Sequence, residues 1–205
     1  MNTSKPEHAL WHKVWRLGDD VDTDALAPGA YMQHGIEVIG QHCLEHLLPT
    51  FAQEVRPGDV IVAGRNFGIG SSREQAAAVL VHLGVAAVIA PSYGGLFFRN
   101  AFNLGLLLLT CGQVDALRNE TELALDERAL SLQLRSGEHL PCEPVPEFLL
   151  QMARAGGLLA SLKQRRLHCH CVPGSGPGFQ HPQSSGGAAM DPGSELAPGS
   201  IRGPG

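Results

Sequence analysis

The segment from Asp59 to Thr110 constrains this chain more than any other, because three short apolar runs alternate in it with two helical patterns. The run DVIVAG suits a buried strand and stops at Gly64. A glycine-rich loop comes next, Gly64-Arg65-Asn66-Phe67-Gly68-Ile69-Gly70, and then Ser71-Ser72-Arg73-Glu74-Gln75 opens a helix. Within that helix Ala76, Val79, Leu80 and Leu83 fall at i, i+3, i+4 and i+7, and Gly84 ends it. Either Ser71 with Glu74 or Ser72 with Gln75 fits a capping box. VAAVIA reads as a second strand, LFFRNAFNL as a second helix stopped by Gly105, and LLLLT as a third strand. Strand, helix, strand, helix, strand predicts an α/β fold whose core is a parallel sheet with right-handed crossovers.

The flanks are less regular. Trp11 to Phe51 reads as loop-rich, with an acidic turn from Gly18 to Asp24, then Pro28-Gly29, and a short helical stretch near Ile36 to Leu48. Thr121 to Leu140 alternates like a half-exposed hairpin through Leu123, Leu125, Leu130, Leu132 and Leu134. A last helix is expected from about Val145 to Arg166, with Gly156-Gly157 as a weak point inside it. Glycine content separates the domain from the C-terminal segment: residues 172–205 hold nine Gly and six Pro but only three charges. Such a segment buries too little to offset its ordering entropy, so it is expected to be a disordered tail, and it reads like a cloning remnant or an out-of-frame extension. The folded unit is expected to be a single domain over residues 1–171.

A formal charge of −5 without a Lys/Arg run argues against nucleic acid or an anionic membrane as the main partner. No apolar run is long enough to span a bilayer, and Met1 to Leu10 lack the apolar core of a secretory signal, so a cytoplasmic protein is expected. The five cysteines, Cys43, Cys111, Cys142, Cys169 and Cys171, read as reduced thiols. His168-Cys169-His170-Cys171 offers soft-metal donors, but without a second pair at finger-like spacing it reads as incidental composition.

Chemistry concentrates in GRNFGIGSSRE. Glycines let a backbone approach a bound group, and a helix that starts at the serines aims unpaired N–H groups and a positive dipole end at that place. Arg73 opposes the dipole there, a mild cost that makes sense if its guanidinium clamps a carboxylate. No Lys comes after the last glycine and no G-x-G-x-x-G is present, so a small carboxylate fits better than a nucleotide. The plainer reading is a tight strand-to-helix turn with capping serines and a solvated arginine, and of Asp24 as one more acidic turn residue.

Three elements together change that balance: Asp22-Thr23-Asp24 with Pro28-Gly29, the whole of GRNFGIGSSRE, and FFRNAFNLGL. Together they resemble the small subunits of 3-isopropylmalate dehydratases, which correspond to the swivel domain of the aconitase superfamily. The likeness covers roughly residues 12 to 166. It implies a swivelling β/β/α domain and a hydro-lyase reaction, the dehydration and rehydration of a hydroxy-di- or tricarboxylic acid. It also implies that the [4Fe–4S] cluster lies on a separate large subunit, that this chain carries no cofactor or metal of its own, and that it is inactive alone. Carried across, Ser71 is the general base that removes the proton next to a carboxylate. Arg73 binds a substrate carboxylate, Ser72 helps to hold it, and Asp24 supports the network. The Tyr31-Met32-Gln33-His34 segment occupies the loop that selects the substrate side chain, with Tyr31 and Met32 as candidates to line an isopropyl group and Gln33 and His34 suited to a more polar one.

Departures from the family pattern are Ile69 where Cys is frequent, Gln75 where His is frequent, and Gly95 where an Arg is expected, with Arg99 as a candidate substitute. The resemblance therefore implies a leucine-biosynthesis subunit acting on 2-isopropylmalate. The alternatives are a related subunit for homoaconitate or dimethylmalate and a stand-alone anion-binding module.

Overall fold

The computed structural model describes residues 10–126 and 129–169. Residues 172–205, His170 and Cys171, and the N-terminal segment through Ala9 lie outside it, and with them the expected tail and part of the His/Cys run.

Seven strands form one sheet. In chain order they are β1 (Trp11–Arg16), β2 (Val60–Val62), β3 (Ala87–Ala90), β4 (Leu107–Thr110), β5 (Glu122–Asp126), β6 (Ser131–Leu134) and β7 (His139–Pro141). Their spatial order is β4-β3-β2-β1-β5-β6-β7. β1 to β4 are parallel, whereas β5 to β7 make an antiparallel meander attached through β5 to β1. The predicted strand–helix alternation is therefore present, with α4 (Glu74–His82) and α5 (Gly95–Leu104) as the crossovers of its core. β2, β3 and most of β4 are buried on both faces, which is why they read as continuous apolar runs.

β1 is the strand that the sequence pattern does not reveal. Its burial does not alternate: His12 and Trp15, on opposite faces, are buried and Lys13 is exposed, and it joins the parallel half of the sheet to the antiparallel half. The polar tip of Trp15 is satisfied inside by Asp59, which accepts the indole N–H at 2.8 Å and the Arg56 N–H at 3.0 Å. The expected hairpin gains a third strand, β7, because the turn after Leu134 returns the chain alongside β6.

The stretch near Ile36 to Leu48 is shorter than expected: α2 covers Ile36–Gln41, with a further turn at α3 (Phe51–Glu54), while α1 (Thr23–Leu26) precedes both. The single late helix is two helices, α6 (Glu147–Ala155) and α7 (Leu158–Cys169). Gly156 and Gly157 break it with φ of 80° and 109°, and a Cβ on Gly157 would lie 2.5 Å from the Asn103 carbonyl oxygen. Glycine at this corner thus permits both the left-handed turn and the close approach to the end of α5. Among the described residues no helix is long and apolar enough to cross a membrane.

Candidate active site

The loops that leave β1, β2 and β3 meet at the carboxyl end of the parallel strands, where open α/β sheets bind their ligands. Backbone hydrogen bonds tie the first loop to the second. Gly64 N–H donates to Gly18 O (3.0 Å), Asp20 N–H to Arg65 O (2.7 Å), Gly68 N–H to Val21 O (2.7 Å) and Thr23 N–H to Ile69 O (2.9 Å). The second is tied to the third by Phe67 N–H to Ser92 O (3.1 Å) and Gly94 N–H to Phe67 O (2.8 Å). Gly68 is required here. Its φ is 74°, and an added Cβ would sit 2.2 Å from Cγ of the buried Phe97.

Most of the acidic turn does structural work. Asp19 accepts the Arg65 N–H at 2.8 Å, and that hydrogen bond, with the Arg65 guanidinium, holds its carboxyl below the usual range. Asp22 caps α1 by accepting the Ala25 N–H at 2.7 Å. Asn66, in the left-handed region at φ 59°, bonds Asp20 through its side chain at 2.7 Å and the Ser92 hydroxyl through its N–H at 2.9 Å. The plain surface-turn reading thus holds for these residues, and Asp24, exposed and capping a backbone N–H as well, differs in its pairing with Arg73.

Asp24 accepts a hydrogen bond from Nη1 of Arg73 and another from the Gly29 N–H at 3.1 Å. The Arg73 guanidinium, helped by the Gly29 amide, keeps the Asp24 carboxyl below the ordinary carboxylate range. The same Nη1 also donates to the Ala27 carbonyl at 3.0 Å. Both hydrogen bonds of the Arg73 side chain among the described residues use Nη1, and none uses Nε or Nη2. Arg73 is the N-cap of α4 rather than a first-turn residue, and neither predicted capping box forms, since the helix begins at Glu74 without a side-chain cap.

Ser71 and Ser72 lie exposed just before that helix, with the Ser71 carbonyl accepting the Arg73 N–H at 2.7 Å. Tyr31 and Met32 are half-buried at the end of the 3-10 turn Gly29–Tyr31, which starts at the residue whose N–H holds Asp24. The Tyr31 ring stacks on His42, with centroids 3.6 Å apart and planes 7° from parallel, and His42 Nδ1 is 2.7 Å from a Glu45 carboxylate oxygen. Sequence reasoning leaves His42 as a generic structural histidine, and the Ala27 carbonyl carries no side-chain signal at all. Gln33 and His34 are exposed. At Gly95 an added Cβ would meet nothing within 4 Å, so the missing arginine does not reflect a lack of space, and Arg99 is exposed on α5.

Among the described residues no group of three or more His, Cys, Asp or Glu side chains gathers as a metal site. Cys43, Cys111 and Cys142 are free, and none lies in the loops around Ser71.

Comparison with known proteins agrees with this geometry. The aconitase C-terminal domain family matches residues 41–113. The chain is 43% identical over 156 residues to 3-isopropylmalate dehydratase small subunit 1 of Archaeoglobus fulgidus, covering 75% of this chain and 97% of that protein. It is also 43% identical over 149 residues to the methanogen homoaconitase small subunit of Methanothermobacter thermautotrophicus, covering 72% of this chain and 86% of that one. The crystal structure of 3-isopropylmalate dehydratase from Methanocaldococcus jannaschii superposes with a TM-score of 0.72 at 35% identity, over 78% of this chain and 96% of that one. Loop convergence, the GSSRE helix start and these near full-length likenesses place the chain in the family of 3-isopropylmalate dehydratase small subunits.

Proposed function

We propose that this chain is the substrate-binding half of a cytoplasmic hydro-lyase that interconverts 2- and 3-isopropylmalate by dehydration and rehydration, in leucine biosynthesis, and that it works only with a large subunit. The observation that carries this reading is the posture of Arg73: Asp24 and the Ala27 carbonyl pin Nη1, and Nε and Nη2 make no hydrogen bond among the described residues, two positions from the exposed Ser71 and next to the exposed Ser72. The Nε–Nη2 edge suits one carboxylate of a dicarboxylic acid in a bidentate pair.

In this reading Ser71 removes the proton on the carbon next to the carboxylate held by Arg73. A serine hydroxyl is a weak base unless its alkoxide is stabilised. The start of α4, whose Glu74 and Gln75 N–H groups precede the first intrahelical partners, and the Arg73 guanidinium provide a positive environment for it. Ser72 supplies a second hydroxyl for the same carboxylate. Both serines are exposed in this chain, so the water-excluding wall that such chemistry needs belongs to the partner. Among the described residues Cys43, Cys111 and Cys142 do not gather as a ligand set, and this reading assigns the [4Fe–4S] cluster to the large subunit.

Tyr31 and Met32 would contact the substrate side chain, with an apolar surface for an isopropyl group. A tricarboxylate substrate is the second reading, favoured by the homoaconitase relative and by the exposed Gln33 and His34 in the same loop. The two are separated by reconstituting the chain with a cluster-loaded large subunit and following enoate absorbance. Faster turnover of 2-isopropylmalate than of homocitrate or malate supports the first. Equal or better turnover of homocitrate replaces it with the second, and no turnover of any of them removes the enzyme reading.

A further inference from the structure

Cys111 and Cys142 stand outside the catalytic loops and have no part in the proposed hydro-lyase chemistry. Cys111 directly succeeds β4, and its N–H donates to the Ala90 carbonyl at 3.0 Å. Cys142 directly succeeds β7, and its N–H donates to the Leu130 carbonyl at 2.8 Å. β4 and β7 are the two edges of the sheet, yet the Glu143 N–H donates to the Thr110 carbonyl at 2.8 Å, so the sheet curls until the ends of its edge strands touch. Cys111 and Cys142 are the chain neighbours of Thr110 and Glu143, so that hydrogen bond sets the two cysteines across the seam from each other. Cys111 belongs to the buried core, and Cys142 packs against it half-buried.

We propose that Cys111 and Cys142 form a redox-active dithiol that closes to an intramolecular disulfide across the seam of the sheet, with a low-molecular-weight disulfide such as oxidised glutathione as the oxidant. One protein thiolate attacks a sulfur of oxidised glutathione, forming a mixed disulfide and expelling one glutathione thiolate. The second protein sulfur then attacks the protein sulfur of that mixed disulfide, expelling the other glutathione. The two cysteines give up two protons and two electrons, and oxidised glutathione becomes two thiols. Cys142 beside it lowers the pKa of Cys111, while Cys111 together with burial raises that of Cys142, so the two thiols share one site of ionisation. Cys43 is the internal contrast: it is fully buried, has no thiol partner among the described residues, and burial pushes its pKa up.

The bond would join residues that lie 31 positions apart and enclose the β5–β7 meander. It would thus restrain the unfolded chain as well as hold the sheet's edges together.

The full chain, treated with oxidised glutathione, quenched with N-ethylmaleimide and digested without reduction, gives the test by peptide mass spectrometry. The expected product is a Cys111–Cys142 linked peptide about 2 Da lighter than the sum of its reduced halves, restored to two free thiols by dithiothreitol. It should disappear in Cys142→Ser and persist in Cys43→Ser. Recovery of Cys111 and Cys142 as separate alkylated or singly glutathionylated peptides would overturn the proposal, as would a preferred disulfide to any other cysteine.

Discussion

Arg73 and Asp24 are joined by a hydrogen-bonded ion pair that spans 49 residues of sequence and connects the start of α4 to the loop after β1. The pair orients the guanidinium rather than stabilising the fold strongly. Asp24 is 60% exposed, and exposed pairs contribute at most about 1 kcal/mol. In the proposed function its value lies in aiming the guanidinium at a substrate carboxylate.

Arg73→Lys keeps the charge and loses the fork. Reconstituted with a large subunit, the variant is expected to show a raised KM together with a lowered kcat, and a fall in kcat/KM of about 10- to 100-fold, the effect of one charge-assisted hydrogen bond. Steady-state kinetics at saturating large subunit check this, and an unchanged profile would remove Arg73 from the site.

Asp24→Asn removes the charge that pins Nη1 and should raise KM more than it lowers kcat. The pH dependence of stability is set by the depressed pKa. A folded-state value below the unfolded one near 3.9 stabilises the protein above that pH, and the contribution is lost as pH falls through the folded value. Urea titrations should therefore separate wild type from Asp24→Asn by under about 1 kcal/mol at pH 7, with the difference shrinking as the solution is acidified below the unfolded value. A difference that grows on acidification would contradict the pairing.

How much of this is legible in the sequence depends on the residue. The parallel core is readable because β2, β3 and β4 are buried on both faces and separated by amphipathic helices. β1 is not, because Trp11-His12-Lys13 puts a histidine and a lysine into a strand, and only the long-range pairing with β2 and β5 explains why they sit there. The Gly156-Gly157 corner is visible as a weak point, but its cause, the end of α5 pressed against it, is a tertiary contact. At the site, Ser71, Ser72, Arg73 and Asp24 are named by their motifs, whereas the Arg73–Asp24 bond and the Ala27 carbonyl need coordinates. The capping boxes fail because the chain stays extended through Arg73, which leaves the serines free of the helix.

His42 is expected to act through Tyr31. Replacing it with Ala removes the stacked ring that backs the tyrosine, and the selectivity between 2-isopropylmalate and unbranched malate should fall by about 2- to 10-fold, the range for one aromatic contact. His42→Phe keeps a ring and loses the Glu45 contact, so it should restore most of that selectivity. Equal selectivity in wild type and His42→Ala would detach the stack from substrate choice.

Gly95→Arg introduces the arginine expected from the family pattern at a position with open space around an added Cβ. Folding stability should change by no more than about 0.5 kcal/mol, as for an unobstructed surface substitution. In the reconstituted enzyme KM for the dicarboxylate should fall. Thermal melting and kinetics check the two halves separately, and a raised KM would show that the site already has its full set of cations.

The proposed proton abstraction assigns Ser71 as the base, and the most direct measurement is the turnover of 2-isopropylmalate by Ser71→Ala assembled with the cluster-loaded large subunit. A loss of about 10²- to 10⁴-fold in kcat, with assembly and melting temperature unchanged, is the expected result. Wild-type kcat in that assembled variant would contradict the assignment of Ser71 and with it the proposed chemistry.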